Sequence, residues 1–358
     1  MDQHEMLFRH DLVSLRRRML GLSQADLANR SGISQGMLSK IEQGLRNPTP
    51  DYRTKLALAL ECPESFFFQS AREYGPPMSA HPMFRKKASV GQKVIDRVIA
   101  DLNVRIAHIR TFLSAVDFTP ELPFPSYDID EFGGDAEEVA NSVRRAWYAP
   151  RGPLKSLTDY AERAGCLVVH CDMEEAKIDG VSYRIAGLPP IIFLNRNQPS
   201  DRMRFSLAHE IGHLILHRYP SPDMEREADE FASALLMPKS DIAPNLLGLT
   251  IERAALMKPV WRVSMAALIV RATTLGRIDK NRASYLWRLM SSRGFRTKEP
   301  ESLDFPREEP TVVKALVKNL TEELDYSEQD LCSVLHLYYD ELASIYGLKR
   351  STGLRVVR

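Results

Sequence analysis

The chain has 358 residues, of which 44% are hydrophobic and 27% charged, and 48 Lys and Arg against 47 Asp and Glu leave a net charge of +1. This composition excludes a wholly disordered or low-complexity chain, and the length predicts two or three domains. No apolar run reaches the roughly 18 residues of a membrane-spanning helix, the polar N-terminus lacks the apolar core of a signal peptide, and the four cysteines are too scattered for a disulfide scaffold. We therefore expect a cytoplasmic protein without a membrane partner.

Residues 1–74 are predicted to form a five-helix domain. Apolar residues recur at helical spacing in short segments that end at glycines such as Gly32 and Gly44, and glycine commonly follows the end of a helix. Ser23, with Asp26 three residues later, forms the pattern of a capping box at the start of the second helix. Two short helices joined by a tight turn that contains glycine are typical of a helix-turn-helix.

The stretch LSQADLANRSGISQGMLSKIEQG, residues 22–44, resembles the XRE, or lambda-repressor-like, family of DNA-binding domains. We expect its recognition helix to present polar side chains to base edges, and a homodimer to bind an inverted-repeat operator in double-stranded DNA. Gln35 suits a bidentate contact with adenine, and Gln24 suits a phosphate. The candidate DNA-binding residues are Gln24, Ser34, Gln35, Ser39 and Lys40. Within the domain, Arg16 is expected to pair with Glu42.

A Pro-rich stretch at 75–82 marks a domain boundary, and residues 75–134 are predicted to be a basic helical linker. One long helix is expected over 88–116, because its apolar residues keep a helical stripe, and a basic cluster at 85–87 precedes it. Further helices are expected at 135–147 and 153–164, and short strands at 166–171, 181–185 and 191–194. These elements predict an α+β fold that is mostly helical, with a small β-sheet.

The most informative segment is His209-Glu210-Ile211-Gly212-His213, an H-E-x-x-H motif on a predicted helix. Histidines four residues apart lie on one helix face, one turn apart, so both can bind one zinc ion (Zn2+). Zinc lowers the pKa of a water molecule toward neutrality, and Glu210 is placed to take its proton as a general base. Gly212 indicates that another backbone approaches closely.

A second predicted helix follows the motif and supplies acidic residues for a third zinc ligand. Glu225 is preferred as this ligand, with Asp229 accepting a hydrogen bond from the other ring nitrogen of a ligand histidine. Glu227 is the competing ligand. His217, four residues after His213, is expected either to end its helix or to donate a hydrogen bond during the reaction.

The segment RFSLAHEIGHLILH, followed by EREADEFASALLMP, resembles the ImmA/IrrE family of metallopeptidases. The resemblance implies that His209, His213 and Glu225 bind zinc and that Glu210 is the general base. It also implies a protein substrate, since family members cleave helix-turn-helix repressors. Many family members carry an XRE domain at the N-terminus, as this chain does.

Four regions are predicted along the chain. They are the helix-turn-helix domain at 1–74, the linker at 75–134, a zincin-like metallopeptidase domain at 135–298, and an acidic segment with helices at 311–324 and 327–346 within 299–358. The last region is compatible with dimerisation, coverage of the peptidase cleft or binding of a partner.

Two functions are compatible with the motifs. The first is a DNA-bound zinc endopeptidase that cleaves a regulator protein, repressor- or antitoxin-like, to switch gene expression. The second is a transcription factor whose zincin-like domain only senses a ligand or partner. The intact Glu210 favours the first, because a purely structural zinc site has no use for a carboxylate at that position.

Overall fold

The computed structural model describes residues 7–70, 72–77 and 90–348. These residues form two compact units. The first unit contains the described parts of 1–75, 89–117 and 313–358, and the second contains those of 76–88 and 118–312. The basic cluster at 85–87 and the start of the long predicted helix lie outside the described residues.

The first unit begins with short helices. They are α1 (His10–Met19), α2 (Gln24–Ser31), α3 (Gln35–Glu42) and α4 (Pro50–Ala59), followed by a 3-10 helix at Glu64–Phe68 and by α5 (Gln92–Ala115), which packs against α1. The predicted capping box is confirmed, since Ser23 Oγ accepts a hydrogen bond from the Asp26 backbone and the Asp26 carboxylate accepts one from the Ser23 backbone. Gly32 then takes a φ of 66°, a left-handed conformation that suits glycine and lets the chain turn into α3.

The second unit combines a small sheet with surrounding helices. Its elements in chain order are α6 (Ala136–Ala146), α7 (Leu157–Arg163), β1 (Leu167–Cys171), β2 (Gly180–Tyr183), β3 (Ile191–Asn195), α8 (Ser200–Leu216), α9 (Met224–Leu236), α10 (Lys239–Leu246), α11 (Ile251–Trp261), α12 (Met265–Thr274) and α13 (Lys280–Ser292). Short 3-10 helices lie at Ile129–Phe132 and Glu301–Leu303. The strand order is β1-β3-β2, with β1 parallel and β2 antiparallel to β3. The predicted fold class, α+β and mostly helical, is confirmed.

α8 is the central helix of the second unit. It contacts β2, β3 and α9, and most of its residues are buried. Gly212 allows α9 to come close, because a Cβ at this position would lie 3.0 Å from Phe231 Cδ1 and 3.3 Å from Ala228 Cα. The close backbone approach predicted at Gly212 is therefore confirmed. It brings the acidic side chains of α9 to the face of α8 that carries the two motif histidines.

The acidic segment after α13 is held against the second unit by carboxylates. Glu308 accepts a hydrogen bond of 2.8 Å from the Thr158 backbone N–H and pairs with the buried Arg204. Glu162 accepts hydrogen bonds from the backbone N–H and the hydroxyl of Thr311, at the start of the next helix. The segment is thus part of the second unit, and beyond it the chain returns to the first.

The C-terminal helices complete the first unit. They are α14 (Val312–Lys318), α15 (Glu328–Leu335) and α16 (Tyr339–Tyr346), with a π-helical turn at Asn319–Glu323. The prediction of a single helix over 327–346 is wrong. His336 takes a φ of 54°, and this left-handed residue ends α15 before α16 begins.

Arg16 does not pair with Glu42 as predicted. Its buried guanidinium forms hydrogen bonds of 2.6 and 2.7 Å to Glu341 of α16 and donates to the Leu60 carbonyl. The neighbouring Arg17 pairs with Glu42 instead, at 2.6 Å. Consecutive residues point about 100° apart around a helix, so Arg16 faces the interior of the unit and Arg17 faces α3.

The two units divide regions that the sequence patterns grouped together. The predicted linker at 75–134 contributes α5 to the first unit and its later residues to the second, and the predicted region at 299–358 is divided at its first helix. The contacts that cause both divisions join residues far apart in sequence, which local patterns do not reveal.

Within the described ranges, no helix is both long and apolar enough to cross a bilayer.

Candidate metal centre

The two histidines of the H-E-x-x-H motif project from one face of α8. Their Nε2 atoms lie 2.9 Å apart, because residues four apart in a helix are separated by about one turn. His213 is buried, and His209 is partly exposed. The pair presents two ring nitrogens side by side toward α9.

Glu225, near the start of α9, completes the cluster. Its Oε1 lies 3.3 Å from His213 Nε2, and its Oε2 lies 3.9 Å from His209 Nε2. One ligand atom from each of these three residues lies within 4.8 Å of the other two. The competing candidate, Glu227, points elsewhere, and its carboxylate lies 3.0 Å from His217 Nε2. Of the two candidates, Glu225 is the one that the fold brings to the histidines.

Each histidine is also held at its far nitrogen. His209 Nδ1 lies 2.8 Å from Asp229 Oδ1. His213 Nδ1 lies 3.0 Å from His217 Nδ1, and the other nitrogen of His217 contacts Glu227. His217 therefore links His213 to Glu227, a role that was not predicted from the sequence.

The carboxylates determine where the ring protons lie. An ionised carboxylate only accepts hydrogen bonds, so His209 donates from Nδ1 to Asp229, and His217 donates from Nε2 to Glu227. Nδ1 of a neutral His217 is then an acceptor, and His213 donates to it from Nδ1. When both motif histidines are neutral, they consequently direct the lone pair of Nε2 into the space between them and the carboxylate of Glu225.

This arrangement of acceptors fits a bound cation. Three acceptors that converge in a partly buried site repel one another unless positive charge lies between them. Zinc held at about 2.0–2.2 Å by imidazole nitrogen and carboxylate oxygen in a tetrahedron separates its ligand atoms by about 3.3 Å. The observed separations of 2.9, 3.3 and 3.9 Å bracket that value. Two imidazoles and one carboxylate also leave a fourth position open, as catalytic zinc sites do.

The carboxylates around the cluster favour positive charge at this place, and a metal ion that binds His209 displaces the proton that they would otherwise favour on its Nε2. Burial lowers the pKa of His209, but the hydrogen bond to Asp229 and the charges of the nearby carboxylates outweigh it, so the pKa is raised. The pKa of His217 is lowered instead, because burial lowers it by more than the hydrogen bond to Glu227 raises it. His217 is therefore neutral near pH 7, as the hydrogen bonds through its ring require.

Glu210 is buried beside the edge strand β2. Its Oε2 accepts a hydrogen bond of 2.6 Å from Ser182 Oγ. Gly180, two residues earlier in the strand, leaves room for this side chain, since a Cβ there would lie 3.2 Å from Glu210 Cγ and 3.0 Å from Leu194 Cδ2. Neither role was predicted from the sequence, although alternation along a strand places Gly180 and Ser182 on one face.

Two family models match the chain. A helix-turn-helix model matches residues 13–67, and a model of the M78 peptidases, described as the IrrE N-terminal-like domain, matches residues 161–273. The chain joins a helix-turn-helix domain to an IrrE-like domain. The two resemblances drawn from the sequence are thereby confirmed, and the IrrE-like match contains α8, α9 and the whole sheet. No curated protein matches the chain.

The helix-turn-helix domain exposes three of the predicted DNA-binding residues, Ser34, Gln35 and Lys40. Ser34 Oγ also accepts a hydrogen bond from the Met37 backbone N–H and so caps α3. Ser39 is half-buried, and its hydroxyl accepts a hydrogen bond from the side chain four residues later. The exposed positions therefore cluster in and before the first turns of α3, with Lys40 near its end.

Gln24 makes its contact inside the helix-turn-helix domain. Its Nε2 donates a hydrogen bond of 2.7 Å to Glu42, the carboxylate that also pairs with Arg17. The second N–H of the Gln24 amide is not used in this bond and can still donate to a phosphate. The backbone N–H groups at the start of α2 are a second candidate for a phosphate contact in this part of the domain.

Proposed function

We propose that this chain is a DNA-binding regulator whose IrrE-like domain is a zinc-dependent endopeptidase that cleaves a regulator protein. The observation that supports this proposal best is the convergence of His209, His213 and Glu225, together with the buried Glu210, whose charge is near enough to raise the pKa of His209. Structural zinc sites are closed by four protein ligands, whereas three ligands with an open position are typical of catalysis.

The residues around the cluster have complementary roles in this proposal. Zinc would lower the pKa of a water molecule and polarise the substrate carbonyl. Glu210 would take a proton from the attacking water and deliver it to the leaving amine. The hydrogen bond from Ser182 fixes one carboxylate oxygen and leaves the other for the proton. Asp229, together with His217 and Glu227, holds the histidine rings in the required orientation.

The combination of domains supports a regulatory substrate. The ImmA/IrrE resemblance implies cleavage of helix-turn-helix repressors, and this chain carries a DNA-binding domain of the same kind. We infer that the substrate is a repressor- or antitoxin-like protein. A homodimer bound to an inverted-repeat operator through Gln35 and its neighbours brings the peptidase to the genes that the substrate controls.

The metal and the general base are tested separately. Elemental analysis of the purified protein is expected to give about one zinc per chain, and His213→Ala is expected to lose it. Glu210→Gln should keep the zinc and lose cleavage by 100-fold or more, on the order of the contribution of a general base. The assay is mass spectrometry of a panel of purified helix-turn-helix regulators after incubation with each variant.

Glu230→Gln is the matched control, because Glu230 is a neighbouring carboxylate of α9 that pairs with Arg226. It should keep both zinc and cleavage. Cleavage by Glu210→Gln at the parent rate would contradict the mechanism. A zinc-loaded parent protein that cleaves no regulator would favour the alternative, a transcription factor whose zincin-like domain senses a ligand or partner.

A further inference from the structure

A cavity of about 560 Å³ opens beside the metal centre of the IrrE-like domain. Its walls come from the N-terminal half of α8, from α9, from the second half of α11, from α12 and from the residues just after α13. The apolar side chains that line it are those of Phe205, Val263, Ala266, Ala267, Val270 and Phe295. Cavities of this size and character are typical of ligand-binding sites.

The faces of α8 and α9 that carry the candidate metal ligands continue into this cavity. Phe205 lies one turn before His209, about 6 Å along the axis at 1.5 Å per residue. On α9, Asp229 both contacts His209 and lines the cavity, and Ser233 lines it one turn further on. An extended peptide advances about 3.3 Å per residue. A peptide with its carbonyl at the metal centre therefore brings a side chain one or two residues away into the cavity.

The charged groups deep in the cavity already bind one another. Lys258 Nζ lies 2.7 Å from Asp201, 2.9 Å from Glu299 and 3.3 Å from Asp304, and 2% of its side chain is exposed. Glu299 also accepts a hydrogen bond of 3.1 Å from the Met265 backbone N–H at the start of α12. These groups hold the wall together. The rest of the lining consists of the apolar side chains, a few polar ones and three cations whose partners lie outside the cavity, Arg202, Arg296 and Lys298.

We propose that this cavity is a specificity pocket for a large apolar side chain of the protein substrate, next to the bond that is cleaved. The inference rests on the proposed peptidase function. Phe205 and Phe295 flank the bound side chain, and the small side chains of Ala266 and Ala267 leave the space that it fills. Leucine, methionine and phenylalanine are the expected occupants, because they fill the space between the apolar side chains, whereas the cations of the lining other than Lys258 already have partners outside the cavity.

The pocket is tested by binding, without catalysis. Two hydroxamates carry either a methyl or a benzyl substituent next to the zinc-binding group. The zinc-loaded protein is expected to bind the benzyl compound at least about 10-fold more tightly, as burial of an aromatic ring predicts. Ala267→Phe fills the pocket and should bring the ratio of affinities close to 1. Val270→Trp, at a more exposed position, should lower the ratio in the same direction.

Ala255→Phe is the matched control, because Ala255 is a half-buried alanine of α11 outside the cavity lining. It should keep the ratio of the parent. If the parent binds the two hydroxamates with equal affinity, the proposal of the pocket is wrong. It is also wrong if Ala255→Phe lowers the ratio of the two affinities as much as Ala267→Phe does. Failure of the zinc-loaded protein to bind either compound would overturn it too, because the pocket is proposed to adjoin the metal.

Different results would contradict the proposed pocket and the proposed peptidase function. A protein that discriminates between the hydroxamates and cleaves no regulator would support the pocket and count against the peptidase. For a protein that cleaves, a library of random peptides should show large apolar residues at one fixed distance from the cleaved bond. Ala267→Phe should shift that preference toward alanine and glycine, and an unchanged preference would overturn the assignment of the pocket.

Discussion

The imidazole of His217 lies at the C-terminal end of α8 and joins His213 to Glu227 through its two nitrogens. Partners of this kind orient a ligand histidine and raise its basicity, and their loss typically lowers metal affinity 10- to 100-fold. His217→Ala is therefore expected to lower zinc affinity by a factor in this range, measured by competition with a chelator. His10→Ala, in the other unit, should leave the affinity unchanged. Equal zinc affinities in His217→Ala and the parent would show that the ring does not position its neighbour.

Gly180 is expected to be as important for Glu210 as His217 is for the zinc ligands. A Cβ at Gly180 would lie closer to Glu210 Cγ and to Leu194 Cδ2 than ordinary contacts allow, at 3.2 and 3.0 Å. Gly180→Ala should displace the carboxylate, keep zinc and reduce cleavage by up to about 100-fold. The measurements are zinc content and the rate of cleavage of a regulator.

Gly36, in α3, is the matched control for Gly180. A Cβ at Gly36 would meet nothing within 4 Å. Gly36→Ala should keep the cleavage rate and stabilise its helix by roughly 1 kcal/mol. Parent-like cleavage by Gly180→Ala would mean that β2 moves away without cost and does not position the general base.

At the level of secondary-structure elements, local patterns predicted most of the fold. The strands at Leu167–Cys171 and Ile191–Asn195 end within one residue of the predicted bounds, because alternation and flanking turn residues mark them. The patterns fail where a helix breaks without glycine or proline. His336, in the left-handed conformation, divides the helix predicted over 327–346, and its side chain gives no signal of this break.

The candidate site was predictable to a similar extent. The spacing of the H-E-x-x-H motif alone places His209 and His213 together. The choice of Glu225 over Glu227 depends on how α9 is rotated against α8, which requires the packing of Gly212 against α9. Ser182 reaches Glu210 from a strand 28 residues earlier, and no local pattern records a contact between separate elements.

The docking of α15 and α16 depends on a buried histidine of α5. His108 Nε2 lies 3.1 Å from the Leu335 carbonyl, and its Nδ1 lies 2.8 Å from the Tyr346 hydroxyl. Burial, together with the charge of the nearby Arg105, lowers the pKa of His108 from 6.5 to about 3. Because the folded pKa is depressed, the neutral ring contributes its full stability above pH 6.5, and that contribution is lost as the pH falls from 6.5 toward 3.

We therefore expect α15 and α16 to detach from α5 as the pH falls from 6.5 toward 4. Hydrogen exchange of the backbone amides of α16 measures this opening, which should become more frequent as the pH falls. His108→Gln removes the titrating group, so its opening should change less over the same range. Opening that is independent of pH in the parent would contradict this role of His108.

At the scale of the whole molecule, the C-terminal helices belong to the unit that contains the helix-turn-helix. Glu341 pairs with Arg16 across 325 residues of sequence, and 1% of the Arg16 side chain is exposed. Glu341→Gln leaves the buried guanidinium without its charged partner, although the hydrogen bonds to the carbonyls of Leu60 and Glu61 remain. We expect a loss of about 1–3 kcal/mol in the free energy of unfolding of this unit.

Thermal unfolding followed by circular dichroism measures this loss, and zinc content should stay at the parent value. Glu322→Gln is the control, because the exposed Glu322 pairs only at the surface with Lys318. Its effect should lie within about 0.5 kcal/mol. Parent-like unfolding of Glu341→Gln would show that the carboxylate is dispensable and that carbonyls alone hold Arg16.

The pairing of Arg16 with Glu341 also sets an order of events during translation. The two residues are 325 positions apart, which at 5–20 residues per second corresponds to about 16–65 s of synthesis. Toward the end of that interval the nascent chain already contains the IrrE-like domain while the DNA-binding unit still lacks its last helix. A polypeptide terminated prematurely after α13 therefore retains the metal cluster but has an unfinished DNA-binding unit. We therefore expect stable DNA binding only from polypeptides that have been translated through α16.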